Sequence, residues 1–365
     1  MKLLFYSTIL KPLYDFPSNI FGIQVGFIEK LINFFFLFTI LFLIYQKKNF
    51  RYHYFTFFLL FLIIFSSIMG IVNKTFFSLI TFSQIYYYLM PFLCISAGGL
   101  IYRTCGEEFN FFILDISNKL FWILFCLTLV YILLHNYTNY WGYFGYSSGI
   151  IFTFITNKKQ TNLKLFIGIF IDLFTGKRST IAMWGLILSL KKPIIFLSLL
   201  LLISLFLFSI IPFIPQRYLD VFYFSSTDER SMFLATGGRS VEWFGIIDKI
   251  KNHPSSLFTG FGFGSSYELY DMFQNLWETR HYSHLTPFTY LLISGIFSTI
   301  ILYFFLIYFA ATLYNTKYSY MYYYYILMLF LSVSGGGLLA MPLPWVFLGI
   351  LIYLKEYNNN IKLIK

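Results

Sequence analysis

The sequence predicts an all-α fold: a polytopic transmembrane helical bundle of about eleven spans, carrying one large helical extracytoplasmic loop. Three observations carry that expectation. First, 58% of the 365 residues are hydrophobic and only 11% are charged, whereas soluble domains carry about 25% charged residues. Second, apolar runs recur near the roughly 20 residues that a helix rising 1.5 Å per residue needs to cross about 30 Å of hydrocarbon. Third, Lys and Arg gather in short clusters between those runs, the bias that marks cytoplasmic connections.

Taken in order, the apolar segments are Phe21 to Tyr45, Tyr52 to Val72, Ser78 to Ile101 and Phe109 to Leu134. Three shorter ones follow, Gly142 to Thr156, Asn162 to Thr175 and Ser179 to Leu190, and Pro193 to Phe213 closes the first half. The shorter runs suit tilted or broken helices packed inside a bundle. A polar stretch intervenes before Leu285 to Leu313, Tyr318 to Val333 and Leu338 to Leu354. The chain therefore divides into an N-terminal transmembrane bundle (1–213), a large loop (214–284) and C-terminal transmembrane helices (285–365).

The net charge of +11 raises the question of nucleic acid, but its distribution excludes that class. Lys47, Lys48 and Arg51 fall in one connection, Arg103 in another, Lys158, Lys159 and Lys164 in a third, Lys191 and Lys192 in a fourth, Lys317 in a fifth, and Lys355, Lys362 and Lys365 in the tail. With eleven spans these all lie on one side, the cytoplasm, so the N-terminus and the long loop face outward. Cys94, Cys105 and Cys126 lie in or beside apolar segments, which argues against a disulfide framework. Met1 to Leu13 is interrupted by Lys11 and Pro12 and does not read as a cleavable signal.

The loop from Pro215 to His284 holds eight of the fifteen acidic residues, and six basic ones, a density that needs water. Aromatic and aliphatic residues recur in it at helical spacing. Val241, Phe244, Ile247 and Lys251 form one stripe, and Trp243, Ile246 and Ile250 its neighbour. Gly237-Gly238 precedes this helix and Asn252-His253-Pro254 stops it. A flexible turn, Gly260 to Gly264, and a second helix over Tyr267 to Trp277 are expected after it.

Three constellations could carry chemistry. Thr175-Gly176-Lys177-Arg178-Ser179-Thr180 sets two cations at the outer end of short apolar segments, against the charge bias. Arg178 there suits either a pair with Asp172 or an anion site, because a guanidinium fork matches phosphate oxygens. Gly237-Gly238-Arg239-Ser240 opens the loop helix, where free N–H groups favour anions; the plainer alternative is a solvated Arg239 paired with Glu242 at i+3. Arg280-His281-Tyr282-Ser283-His284 marks re-entry into the membrane. Two His at i, i+3 are too few for zinc, which needs three or four ligands; an imidazole base acting on a hydroxyl fits better, and an interfacial His without a special role is the bland alternative.

With these residues in view, the run Gly-Gly-Arg-Ser-Val-Glu-Trp at 237–243, the Ile-Lys-Asn-His-Pro ending at Pro254 and the Gly-Phe-Gly-Phe-Gly of 260–264 resemble the loop of the O-antigen polymerase and O-antigen ligase superfamily. That family carries an Arg-x-x-x-Trp helix, matched by Arg239 and Trp243, and a His followed eleven residues later by Gly, matched by His284 and Gly295. Leu285 departs from the family pattern and Ser298 matches it only approximately. Thr-Gly-Lys-Arg-Ser-Thr at 175–180 is similar to the family's small-residue-Arg-Ser/Thr signature. The matches keep the family's order over about residues 170 to 300.

The resemblance implies a GT-C-type glycosyltransferase of the bacterial inner membrane, multi-pass, with a periplasmic loop and a cytoplasmic C-terminus. It implies undecaprenyl-diphosphate-linked glycan as donor and acceptor, the bilayer, a flippase and a chain-length regulator as partners, and no metal, cofactor or nucleic acid. Arg178 and Arg239 would hold the diphosphate, with Lys177 beside them, and Arg280 would assist although it has no family counterpart. His284 would be the base, or His281 in its place. Trp243, Phe261, Phe263 and Trp277 would stack on sugar faces. Polymerisation of repeat units for lipopolysaccharide O-antigen or a related surface polysaccharide is the leading expectation. Ligation of the glycan to lipid A core or protein is the sister one, and a membrane transporter is the alternative from another class.

Overall fold

The computed structural model describes residues 53–134, 178–191, 228–272, 275–314, 318–334 and 342–364, with isolated positions between 38 and 45 and between 193 and 201. The expected segments Gly142 to Thr156 and Asn162 to Thr175, most of Phe21 to Tyr45 and of Pro193 to Phe213, and the loop before Asp228 lie outside the described residues. The chain forms two compact units. One comprises Met1–Lys47 and Leu100–Pro215, the other Lys48–Gly99 and Gln216–Lys365.

The described residues are mostly helical: α1 (Tyr54–Val72), α2 (Leu79–Leu134), α3 (Arg178–Lys191), α4 (Glu229–Thr236), α5 (Arg239–Asn252), α6 (Ser256–Thr259), α7 (Thr286–Thr312), α8 (Ser319–Ser334) and α9 (Pro342–Ile364). A hairpin, β1 (Tyr267–Asp271) and β2 (Leu276–Arg280), interrupts them. Among the described residues, three helices are long and apolar enough to cross a membrane: Tyr54–Val72, Ile80–Gly106 and Thr286–Thr312. Each coincides with an expected segment. α2 breaks at Gly106 (φ 48°), between the segments expected at Ser78 to Ile101 and Phe109 to Leu134.

In the second unit α7 packs against α1, α5, α6 and α8, and α8 against α9. α7 is broken at Gly295 (φ 77°, ψ 177°). The break has a partner. Carbonyls of Leu292 and Ile293, which would accept from the next turn of an unbroken helix, accept instead from the N–H groups of Phe261 (2.8 Å) and Gly262 (2.9 Å). Phe263 N–H donates to Ser66 of α1 at 3.0 Å, and Gly264 N–H to Gln84 Oε1 of α2 at 2.6 Å. Gly260, Gly262 and Gly264 all have positive φ, and a Cβ at Gly262 would collide with the backbone of Gly70. The expected flexible turn is thus a packed backbone bridge, and Phe261 (6% exposed) and Phe263 (0%) are core residues.

α5 lies across this bridge. Ile246 and Ile250 bury against Phe261, Tyr267, Leu269 and Leu292. Gly245 permits close approach to β1: a Cβ there would sit 2.5 Å from the Glu268 carbonyl. The expected helix over Tyr267 to Trp277 is instead the hairpin, paired Tyr267 with Arg280 through Asp271 with Leu276. β1 alternates buried and exposed residues, the period of a half-buried strand.

Candidate functional site

The expected helix is present as α5, but the face it buries is centred differently. Ser240, Glu242, Ile246 and Ile250 point inward, while Phe244 is exposed. Helical spacing carries Glu242 onto the inward face together with the isoleucines four and eight residues later. Its side chain is completely buried, and a buried carboxylate must be paired and hydrogen-bonded.

All but one of its partners come from the segment before α7; the other, Arg239, is on α5 itself. His284 Nδ1 lies 2.5 Å from Glu242 Oε1. Arg280 Nη1 donates to the same oxygen at 3.1 Å, and Arg239 Nη1 stands 3.8 Å from it. Ser283 Oγ and the His284 N–H each donate to Oε2 at 2.9 Å. Burial pushes the Glu242 pKa up, but hydrogen bonds from His284, its charge and that of Arg239 prevail and hold the carboxyl below its usual value.

The turn that carries His284 is fixed from several sides. Gln84 Nε2 donates to the carbonyls of His281 (2.8 Å) and Ser265 (2.9 Å), and Tyr267 hydroxyl to that of Tyr282 (3.1 Å). Thr289 Oγ1 accepts from Ser283 N–H at 2.9 Å and donates to the Ser283 carbonyl at 3.0 Å, closing the first turn of α7.

The consequence for His284 is chemical. An ionised Glu242 against Nδ1 favours a proton there, so that in the neutral ring Nε2 carries the lone pair. With 39% of its side chain exposed, the ring is accessible. A carboxylate-oriented imidazole with a free nitrogen can take a proton from a hydroxyl.

The two arginines differ. Arg280 donates to Glu278 through Nε (2.9 Å) and Nη2 (2.8 Å), lies 3.5 Å from Asp271, and bonds Glu242. Burial would lower its pKa, yet the Glu278 hydrogen bond and surrounding carboxylates raise it. It is a clamp tying the hairpin to α5. Among the described residues Arg239 has only the longer contact with Glu242, and 27% of its side chain remains exposed. Burial pulls its pKa down, and the nearby Arg280 charge adds to that against the pull of Glu242. A partly desolvated guanidinium with donors left over is suited to a further anion.

Of the expected site residues, the structure brings together Arg239, Arg280 and His284. His281 is adjacent but contributes its carbonyl, and burial lowers the pKa of its ring. Trp243 is half-buried beside Phe288, and its buried Nε1 has no partner among the described residues. Arg178 opens α3 in the first unit. Its side chain, and all of Lys177 and Asp172, lie outside what the structure describes. The expectation that Arg178 shares a diphosphate with Arg239 therefore lies outside the described residues. Among the described residues no three of His, Cys, Asp or Glu converge as a metal-ligand group.

The sequence points to Glu242 only as the i+3 partner of a solvated Arg239, a pair the structure contains with Glu242 fully buried; nothing in it singles out Ser283, Gln84 or Thr289. The i+3 spacing of Glu242 to Arg239 was a visible signal, but it pointed to the weaker of its contacts. No family model matches the chain, nor does any curated protein or solved structure.

Proposed function

We propose that the chain is a polysaccharide polymerase of the bacterial inner membrane, transferring a glycan from one undecaprenyl diphosphate to the next lipid-linked repeat unit. The observation that carries this reading is the buried Glu242 orienting His284, with Arg239 alongside, at the entry to the apolar helix α7. A base for a hydroxyl and a cation for a phosphate stand together where a lipid-linked substrate would present its headgroup.

In this reading 228–284 belongs to the periplasmic loop of a bundle of about eleven spans with a cytoplasmic C-terminus. The acceptor hydroxyl attacks the anomeric carbon of the donor glycan. His284 Nε2 takes the hydroxyl proton, and Glu242 stabilises the imidazolium that forms. The bond from the anomeric carbon to the diphosphate oxygen breaks, and the electron pair leaves with lipid diphosphate. Arg239 meets the charge as it develops, the stage at which stabilisation accelerates the step. Attack opposite the leaving group inverts the anomeric centre. Arg280 holds Glu242 and the hairpin in register.

Glycan ladders from a deletion strain complemented with variants test this. Arg239→Ala and His284→Ala are expected to abolish long chains while the protein stays inserted. Arg239→Lys is expected to restore little, since a point charge lacks the planar fork. A deletion strain is expected to show one-repeat glycans; normal ladders from all three variants would sink the mechanism, and complete loss of surface-attached glycan on deletion would point to ligation.

A further inference from the structure

The β1–β2 hairpin has two unlike faces. Inward go Tyr267 (2% exposed), Leu269 (3%) and Asp271 (8%), with Arg280 and Glu278 opposite. Outward, register pairs Glu268 with Thr279 and Tyr270 with Trp277. All four are exposed, Trp277 at 70%, and its ring lies 5.6 Å from that of Tyr270, tilted by 58°. This is a large exposed aromatic surface, followed along the strands by a carboxylate and a hydroxyl.

We propose that this outward face is a stacking platform for the neutral pyranose units of a glycan on its way from the His284 centre; the inference rests on the polymerase reading above. Three features on the face select that occupant. The apolar side of a pyranose ring stacks on an exposed indole and phenol, which keep their polar ends wet. Glu268 and Thr279 offer acceptors and a donor to ring hydroxyls. The only formal charge among the four is negative, which disfavours phosphate and an anionic lipid surface. The face is near the centre: Trp277 is three residues, about 10 Å, along β2 from Arg280, which on the opposite side of the hairpin bonds Glu242.

The competing explanation is that Trp277 and Tyr270 anchor the hairpin at the membrane interface, where such residues concentrate. One preparation separates the two. Full-length protein in phospholipid nanodiscs is titrated with the source organism's own surface polysaccharide, freed of lipid by mild acid. Tryptophan emission is expected to shift in the wild type, and the shift to be absent from Trp277→Phe. Trp277→Ala is expected to weaken calorimetric affinity about tenfold, the order of one aromatic contact, and Trp277→Tyr to recover most of it. Equal affinity of wild type and Trp277→Ala overturns the platform. So does quenching of the Trp277 emission by phospholipids brominated in their chains. Ladders from the deletion strain test the polymerase reading separately: the ladder can depend on the protein while the titration shows no role for Trp277, and then only the platform falls.

Discussion

Glu242 combines complete burial with five polar groups converging on its two oxygens. Removing it would leave Arg280 and His284 facing an apolar gap, so Glu242→Ala should lose about 3–5 kcal/mol of stability. Glu242→Gln keeps the shape but removes the charge that fixes the His284 proton on Nδ1. Initial rates of chain extension in proteoliposomes should fall about 10²- to 10⁴-fold, the range of a lost general base, while the variant remains folded. Full activity in Glu242→Gln would remove the dyad from the mechanism. The carboxyl also predicts a pH dependence of stability. Its folded pKa is depressed, so the unfolded chain binds the proton more readily. Its contribution is complete above the ordinary Glu value of about 4.3 and is lost as pH falls through the lower folded value. Thermal unfolding followed across that acidic window should show a steeper loss in the wild type than in Glu242→Gln.

At the scale of elements, Gly295 makes the clearest prediction. Its φ of 77° is unfavourable for any residue with a Cβ, and that atom would also meet the Phe258 carbonyl. Gly295→Ala should cost at least about 1–2 kcal/mol. Because the Gly260–Gly264 bridge bonds to carbonyls released by this break, faster amide exchange at Phe261 and Gly262 should accompany the loss. Helices were legible from sequence wherever apolar length or a strong stop decided them, as with α1, α7 and the Asn252-His253-Pro254 end of α5. The hairpin was not. Tyr267 to Asp271 alternates over only five residues, too short to outweigh a helical reading without knowing that Gly245 opens a seat for it. In the site, Arg239, Arg280 and His284 were visible as residue types. Their assembly was not, because it depends on Glu242, 42 positions from His284 in sequence, and on Gln84 and Tyr267 fixing a turn that neither adjoins.

Across the whole second unit, α1 and α7 set two opposite ends. Near the C-terminus of α1, Asn73 and Thr75 bond the carbonyls of Phe261 and Phe263, and the N-terminus of α7 carries the dyad. His53 at the start of α1 and Thr312 at the end of α7 meet Lys355 and Glu356 around one cleft. α7, though broken at Gly295, is long and apolar enough to cross the roughly 30 Å of a hydrocarbon core; in the proposed topology the dyad and the cleft therefore face opposite sides of the membrane. In the sequence, Lys47, Lys48 and Arg51 come just before α1 and Lys317 just after α7. Cationic connections stay in the cytoplasm, so the proposed polymerase reading requires the dyad to face outward. Single cysteines test this in a background lacking Cys94, Cys105 and Cys126. Lys251→Cys, on the exposed end of α5, should react with a membrane-impermeant maleimide in cells whose outer layers admit the reagent. Glu356→Cys should react only after the inner membrane is opened. The reverse pattern would put His284 in the cytoplasm, away from any glycan assembled on the outer face, and would end the polymerase reading whatever the variants at the dyad did.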